Sequence, residues 1–392
     1  MKHMKVIVAI DSFKGSLSSM EAGLAVKEGI LKARPDADII VKPLADGGEG
    51  TTDALISGLG GKRIDLTVTG PMGKPVDCYY GTLENSSVGN TSVSTGHTAV
   101  MEMASAAGIT LVPTNQKNPL IATTYGVGEM ILHAIENGCH DFIIGIGGSA
   151  TNDGGIGMLK ALGFEFLDKD GNDVGEGGQA LAKVTTIKTD NVNSKLSLCN
   201  FKVACDVTNP LCGENGATYI YGPQKGVTLE MRDALDLGMA NFASQTAKYL
   251  GTDFSDYPGA GAAGGLGFAF LSYLNATLTP GVDLILDAVG LENDLFSNDD
   301  SQLIVVTGEG RLDHQTAMGK APVGVARLAK KYGAKVIAFA GSVTKDAVDC
   351  NDAGIDAFFP IVRGITTLEE AMNPENAKEN LTAATEQVFR LL

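Results

Sequence analysis

The sequence predicts an α/β protein: a doubly wound, Rossmann-like parallel-sheet domain with a second, mixed α/β domain inserted into it. Three observations carry that prediction. Short apolar runs alternate with helical segments at both ends of the chain. Polar, Gly-rich loops follow several of those runs, and ligands in open parallel sheets bind outside the carboxyl ends of strands. The chain has 392 residues, which suits two domains at about 150 residues each.

The first unit reads strand, loop, helix, strand. Lys5 to Ile10 is a short buried strand, and Asp11 to Leu17 the loop after it. Ser18 and Glu21 form an S-x-x-E capping box that starts a helix. Ala22, Ala25, Val26, Ile30 and Ala33 recur at helical spacing, and Pro35 stops the helix. Asp38 to Lys42 is the next strand, followed by the loop Leu44 to Thr51. In the middle, Arg63–Val68, Val76–Leu83 and Thr98–Ala104 alternate like antiparallel or mixed strands. Leu120 to Asn137 reads as one long helix, and Asp141 to Ile146 as a strand running into another Gly loop. Phe201 to Cys205 is a strand, and Glu230 to Leu250 a helix with Leu235, Met239, Phe242 and Thr246 on one face.

The last hundred residues return to alternation. Gln302–Thr307 is a strand and Gly308–Gly319 a loop. Ala321–Lys331 is a helix, Ala334–Ala340 and Ala357–Val362 are strands, and Glu375–Leu392 is a terminal helix. The pattern places residues 1–67 and 291–392 in the Rossmann-like domain and 68–290 in the inserted one, with Leu291–Ser301 as the return crossing.

Composition narrows the function. Hydrophobic residues at 44% and charged residues at 19% fit a globular chain rather than a disordered one. A net charge of −16 would repel a nucleic-acid backbone. It still allows a small anion, because local cations and N–H groups decide that. The apolar run Val6–Ile10 is too short for a signal-peptide core, and no run of about 18 apolar residues spans a membrane. The six cysteines contain no C-x-x-C, so a reduced, cytoplasmic protein is expected. The five histidines are scattered, and no Cys/His metal cluster is expected. The chain is expected to be a monomer or homodimer.

Four segments share one design, an apolar strand, then Gly with charged or hydroxyl residues, then a helix: Asp11–Ser16, Asp46–Thr51, Gly145–Gly155 and Gly308–Lys320. Glycines and helix N-termini offer N–H groups to phosphate. Carboxylates hold Mg²⁺ or take a hydroxyl proton, and Lys and Arg neutralise phosphate oxygens. Gly145-Ile-Gly-Gly-Ser-Ala150, with Glu165 20 residues after Gly145, imitates a dinucleotide fingerprint and keeps an oxidoreductase reading open. Asp153 opposes it, since that carboxylate would repel a bare pyrophosphate. A Walker-type P-loop is absent: Ala321 follows Gly319-Lys320, and His314 stands where the first Gly should. Asp206 ends a strand before Asn209-Pro210. It reads equally as a turn cap and as a general base.

The motifs together resemble the type I family of bacterial glycerate kinases. Asp11-Ser-Phe-Lys-Gly-Ser-Leu-Ser18 and Pro43-Leu-Ala-Asp-Gly-Gly-Glu-Gly-Thr51 resemble its first two signatures. The likeness continues through Asn118–Gly126, Gly145–Gly155, Cys205–Leu211, Tyr221-Gly-Pro-Gln-Lys-Gly226, Gly259–Gly267 and Gly308–Thr316. It covers nearly the whole chain in order. His314 departs from the expected small or polar residue. The resemblance implies a two-domain α/β kinase with its active site in the inter-domain cleft. It implies ATP and Mg²⁺ as cofactors and D-glycerate as substrate, with 2-phosphoglycerate as product. A 3-phosphoglycerate-forming enzyme is the near alternative. A Rossmann-type oxidoreductase and a non-catalytic binder of a small acid are remoter ones.

Chemistry and resemblance together suggest roles. Asp206, Lys14 and Arg311 are the expected catalytic residues, with Asp206 as base and the two cations on phosphate or carboxylate. Ser12, Asp46, Ser149, Asn152, Asp153 and Asp313 are expected to contact the substrate, and Asp46 and Asp313 to hold Mg²⁺. Gly47, Gly48, Gly147, Gly148, Gly308, Gly310 and Lys320 are expected around the nucleotide.

Overall fold

A computed structural model describes residues 4–84, 96–296 and 302–392. Its strands, in chain order, are β1 (Met4–Ile10), β2 (Asp38–Pro43), β3 (Lys62–Thr69), β4 (Pro75–Glu84), β5 (His97–Glu102) and β6 (Cys139–Gly145). They continue with β7 (Glu165–Leu167), β8 (Thr186–Lys188), β9 (Asn200–Ala204), β10 (Thr277–Thr279), β11 (Gln302–Leu312), β12 (Lys335–Val343) and β13 (Ala357–Pro360).

The chain's two ends build a five-stranded sheet in the order β13-β12-β11-β1-β2, parallel throughout. Helices cover both faces, as a parallel sheet requires. Helix Ser19–Ala33 begins at the expected capping box: Glu21 N–H donates to Ser18 Oγ at 3.3 Å, and Ser18 N–H donates to the Glu21 carboxylate at 2.8 Å. Its Ala22, Ala25, Val26 and Ile30 pack with Leu381 and Phe389 of helix Pro374–Phe389 over Val6, Val8 and Val306. Helices Gly281–Ala288 and Ala321–Lys331 cover the opposite face.

The middle of the chain forms a six-stranded mixed sheet, β10-β9-β6-β5-β4-β3. Strands β5, β6, β9 and β10 run parallel, while β3 and β4 are antiparallel neighbours. Helices Tyr125–Glu136, Leu229–Leu250 and Ala262–Leu274 pack on one face. On the other face lies helix Gly281–Ala288, whose Val282 and Ile285 join one apolar cluster with Ile7 and Ala9 of β1 and Val100, Ile143 and Ala204 of the mixed sheet. The two sheets thus share a core. Among the described residues, no helix is long and apolar enough to cross a membrane.

Several expectations change. A boundary at residue 67 falls inside β3, which pairs with β4 along its whole length, so the mixed sheet begins at Lys62. The return crossing contains helix Leu291–Phe296, and residues 297–301 lie outside the described ones. The helix expected from Leu120 starts at Tyr125, because Pro71 O and Asp153 draw Thr123 and Thr124 into long-range hydrogen bonds. Gly308–Leu312 is strand rather than loop: β11 continues beside β12 as far as Leu312 opposite Val343. Gly308 allows this, since a Cβ there would stand 1.9 Å from the Phe339 carbonyl oxygen. The dinucleotide reading also fails. No helix follows β6 until Ile156, and Glu165 lies in β7, which pairs antiparallel with β8 away from the main sheet.

Candidate active site

The five-stranded sheet reverses its winding between β1 and β11, with β2 beyond one and β12 beyond the other. Such a switch point leaves a crevice at the carboxyl ends of the strands. Here it opens into a cavity of about 820 Å³. Its polar wall comes from Asp11, Ser12 and Lys14 after β1, Asp46 after β2, and Glu309, Gly310, Arg311 and Asp313 from β11 onward, with Lys320 beyond. Its apolar wall includes Phe13, Ile361, Val362, Leu368 and Met372.

A second cavity of about 320 Å³ lies at the carboxyl ends of β6 and β9. Gly147, Gly148 and Ser149 come from the loop after β6, and Cys205 and Asp206 from the loop after β9. Asp46, Gly47 and Gly48 reach it from the first sheet, and Lys225 from the segment after Tyr221. Asp46 lines both cavities. Close packing fixes this junction: a Cβ on Gly47 would stand 2.7 Å from Gly281 Cα, and one on Gly281 would stand 2.1 Å from the Asp46 carbonyl oxygen.

The junction is acidic and its carboxylates affect one another. Burial, with Asp46 and Glu309 nearby, pushes Asp11 up to about 7, against a hydrogen bond from Ser12 N–H and the charge of Lys14. Burial, with Asp46 and Asp283 nearby, also raises Asp206. Gly281 N–H, at the start of its helix, donates to Asp206 Oδ1 at 2.8 Å and opposes that rise. Burial raises Glu309, which accepts a hydrogen bond from Thr316 Oγ1 at 2.6 Å.

Most expected site residues gather here, but the nucleotide set divides. Gly310 and Lys320 line the larger cavity, while Gly47, Gly48, Gly147 and Gly148 line the smaller. Gly308 lines neither, being used in the ladder with β12. Asn152 and Asp153 are wholly buried and line neither cavity. Asp153 accepts from Thr124 N–H and Oγ1 (both 2.8 Å), Gly155 N–H (3.1 Å) and Gly157 N–H (3.3 Å). It holds the loop after β6 to the start of helix Tyr125–Glu136. Asn152 Nδ2 donates to Thr218 Oγ1 at 3.0 Å.

Among the described residues, no three His, Cys, Asp or Glu side chains converge as a metal cage. A Mg²⁺ carried by nucleotide phosphates needs only one or two carboxylates. Asp46 suits that, because it stands where the cavities meet. Asp313 suits it less: its carboxylate caps helix His314–Ala317 and faces Arg311 Nε at 3.6 Å.

Lys225 has no role expected from sequence, although it stands within Tyr221-Gly-Pro-Gln-Lys-Gly226. It is 2% exposed. Its ammonium donates to Ser149 Oγ at 2.6 Å and Thr151 O at 2.7 Å. Burial pulls it down to about 7, against the charge of Asp153. A lysine beside Gly226 reads as a surface residue, so only its motif marked it.

Two chambers that share Asp46 suit transfer of a phosphoryl group between two small molecules, which is the chemistry of a small-molecule kinase. Residues 6–392 match the model of the glycerate kinase family. The chain belongs to that family. It is 47% identical over 376 residues to a glycerate kinase of Bacillus subtilis (strain 168), covering 96% of this chain and 94% of that one. It is 43% identical over 389 residues to a glycerate 2-kinase of Escherichia coli (strain K12), covering 99% and 98%. A crystal structure named for glycerate kinase 2 of Salmonella typhimurium LT2 superposes with a TM-score of 0.87 at 42% identity, covering 99% and 98%. This sets aside the oxidoreductase and non-catalytic readings.

Proposed function

We propose that the chain is an ATP-dependent glycerate 2-kinase, converting D-glycerate and ATP to 2-phosphoglycerate and ADP. The observation that carries this reading is the meeting of two differently built cavities at Asp46. The larger suits ATP: its apolar wall takes the base, and Lys14, Arg311 and Lys320 take the phosphates. The smaller suits a three-carbon acid. The name of the Escherichia coli relative supports the choice of the 2-hydroxyl. In this reading the two sheets are two domains facing one cleft.

The proposed chemistry runs across the threshold. Asp206 accepts the proton of the 2-hydroxyl through the oxygen that Gly281 N–H does not hold. The hydroxyl oxygen bonds to the γ-phosphorus as the bond from that phosphorus to the β–γ bridging oxygen breaks, and ADP leaves. Burial raises Asp206 and so strengthens it as a base. Lys14 and Arg311 neutralise the charge on the transferring group. Asp46 would hold Mg²⁺, which would supply charge neutralisation to the phosphates. Ser12 would contact the phosphoryl oxygens from the wall of the larger cavity.

The test is ADP formation by the purified chain with D-glycerate, Mg²⁺ and ATP, with mass spectrometry of the acid product. ADP release that depends on D-glycerate and yields a phosphoglycerate is the expected result. No ADP, or ADP release indifferent to D-glycerate, overturns the reading.

A further inference from the structure

We propose that Lys225 and Ser149 form the anchor for the carboxylate of the acid substrate, a specificity element of the smaller cavity. The inference rests on the kinase reading above and adds the group that recognises an acid rather than a neutral polyol. Two carboxylates, Asp46 and Asp206, face this cavity. An anionic substrate entering it meets like charge unless a cation stands opposite. Lys225 is that cation.

Its hydrogen bonding leaves it free to act. An ammonium has three N–H donors. Ser149 Oγ and Thr151 O take two, which leaves one for a ligand. Because Ser149 Oγ accepts from Lys225, its own O–H is free to donate, and Ser149 lines the cavity. Together they offer two donors, which is what a carboxylate accepts.

The other titratable groups around the cavity are otherwise engaged. Tyr221 Oη donates to Asn209 Oδ1 at 2.7 Å, and Cys205 Sγ lies 3.3 Å from Val207 O. Asp153 lies outside the cavity, and its carboxylate already accepts from Thr124, Gly155 and Gly157. A hydroxy acid with its carboxylate on Lys225 and Ser149 can turn its hydroxyl toward Asp206. Burial brings the Lys225 ammonium down to about 7, so at pH 8 the Lys225 side chain is largely uncharged in the empty site. An arriving carboxylate restores the charge, and binding takes up a proton.

The experiment titrates D-glycerate into the full chain at pH 8 by calorimetry, in two buffers of different ionisation enthalpy. Uptake of about one proton is expected for the wild type. Lys225→Met is expected to abolish the uptake and weaken glycerate binding by about 30-fold or more, with KM for ATP within about twofold. Ser149→Ala changes one small group and keeps the test alive should the lysine variant fail to fold; it is expected to weaken glycerate binding by about fivefold to tenfold. Wild-type glycerate affinity in Ser149→Ala, or in folded Lys225→Met, overturns the anchor alone. A wild type that neither binds nor phosphorylates D-glycerate overturns the kinase reading with it.

Discussion

The larger cavity keeps its cations on strand ends and loops, where Arg311 has 64% of its side chain exposed; the smaller keeps its cation at 2% exposure, fastened to Ser149 and Thr151. The first has room for a flexible ligand, about 820 Å³, with an apolar wall. The second holds about 320 Å³, and Ser149 and Lys225 in its wall are buried. Exposed charges are screened by water and salt, so they attract broadly and discriminate little. A buried charge has few partners, and each is costly to lose. On the proposed function the difference places selectivity in the smaller cavity: exposed Lys14 and Arg311 would gather the phosphate donor, and the buried Lys225 network would choose the acid.

Substitutions in the two regions should fail in different ways. Asp206→Asn should lower kcat about 1,000-fold with both KM values within a few-fold and little change in melting temperature, read by steady-state kinetics. Comparable turnover in this variant would remove the base from the smaller cavity. Asp153→Ala should cost about 3 kcal/mol in urea denaturation, because four donors lose a buried acceptor. Lys14→Ala and Arg311→Ala should leave stability unchanged, raise KM for ATP about tenfold and lower kcat as well, with the KM effect shrinking in salt. A salt-insensitive effect there would break the contrast.

Proton linkage sharpens it further. Asp11 is raised from 3.8 to about 7 by folding, so the native state binds more protons between those values and loses stability as pH rises through them. Asp11→Asn removes that loss. Its stability relative to wild type should improve by about 2 to 3 kcal/mol between pH 5 and pH 8, measured by urea melts at each pH. The smallest effect is expected at Glu102, at the end of β5, which accepts from Gly50 N–H at 3.3 Å and Thr52 N–H at 2.9 Å. These bonds cap helix Thr51–Leu59 from the other sheet, and Glu102→Gln should cost about 1 kcal/mol or less in thermal unfolding.

The sequence disclosed what is local. The Ser18 capping box, the Pro35 stop, and the loops carrying Asp11, Asp46 and Asp206 follow from neighbours along the chain, and the structure places those loops at strand ends as read. Distant contacts hid the rest. Gly308-Glu-Gly310 looks like a loop, yet β12 pairs with it and keeps it extended. Thr123 and Thr124 look helical until Pro71 O and the Asp153 carboxylate, each far along the chain, bind them. Asp153 sits in a polar Gly loop, so it read as a cleft residue, while its burial under Thr124 makes it structural. Lys225 had the opposite fate, since no local pattern announces a buried lysine.

In the proposed reaction the phosphoryl group crosses at Asp46 from the larger cavity to the 2-hydroxyl held beside Asp206. The most direct test is the phosphorus NMR signal of the product formed from D-glycerate, Mg²⁺ and ATP. A phosphomonoester coupled to one proton is the predicted result, because the 2-carbon carries a single hydrogen. Coupling to two protons would mean transfer to the 3-hydroxyl and would contradict the placement of the acid.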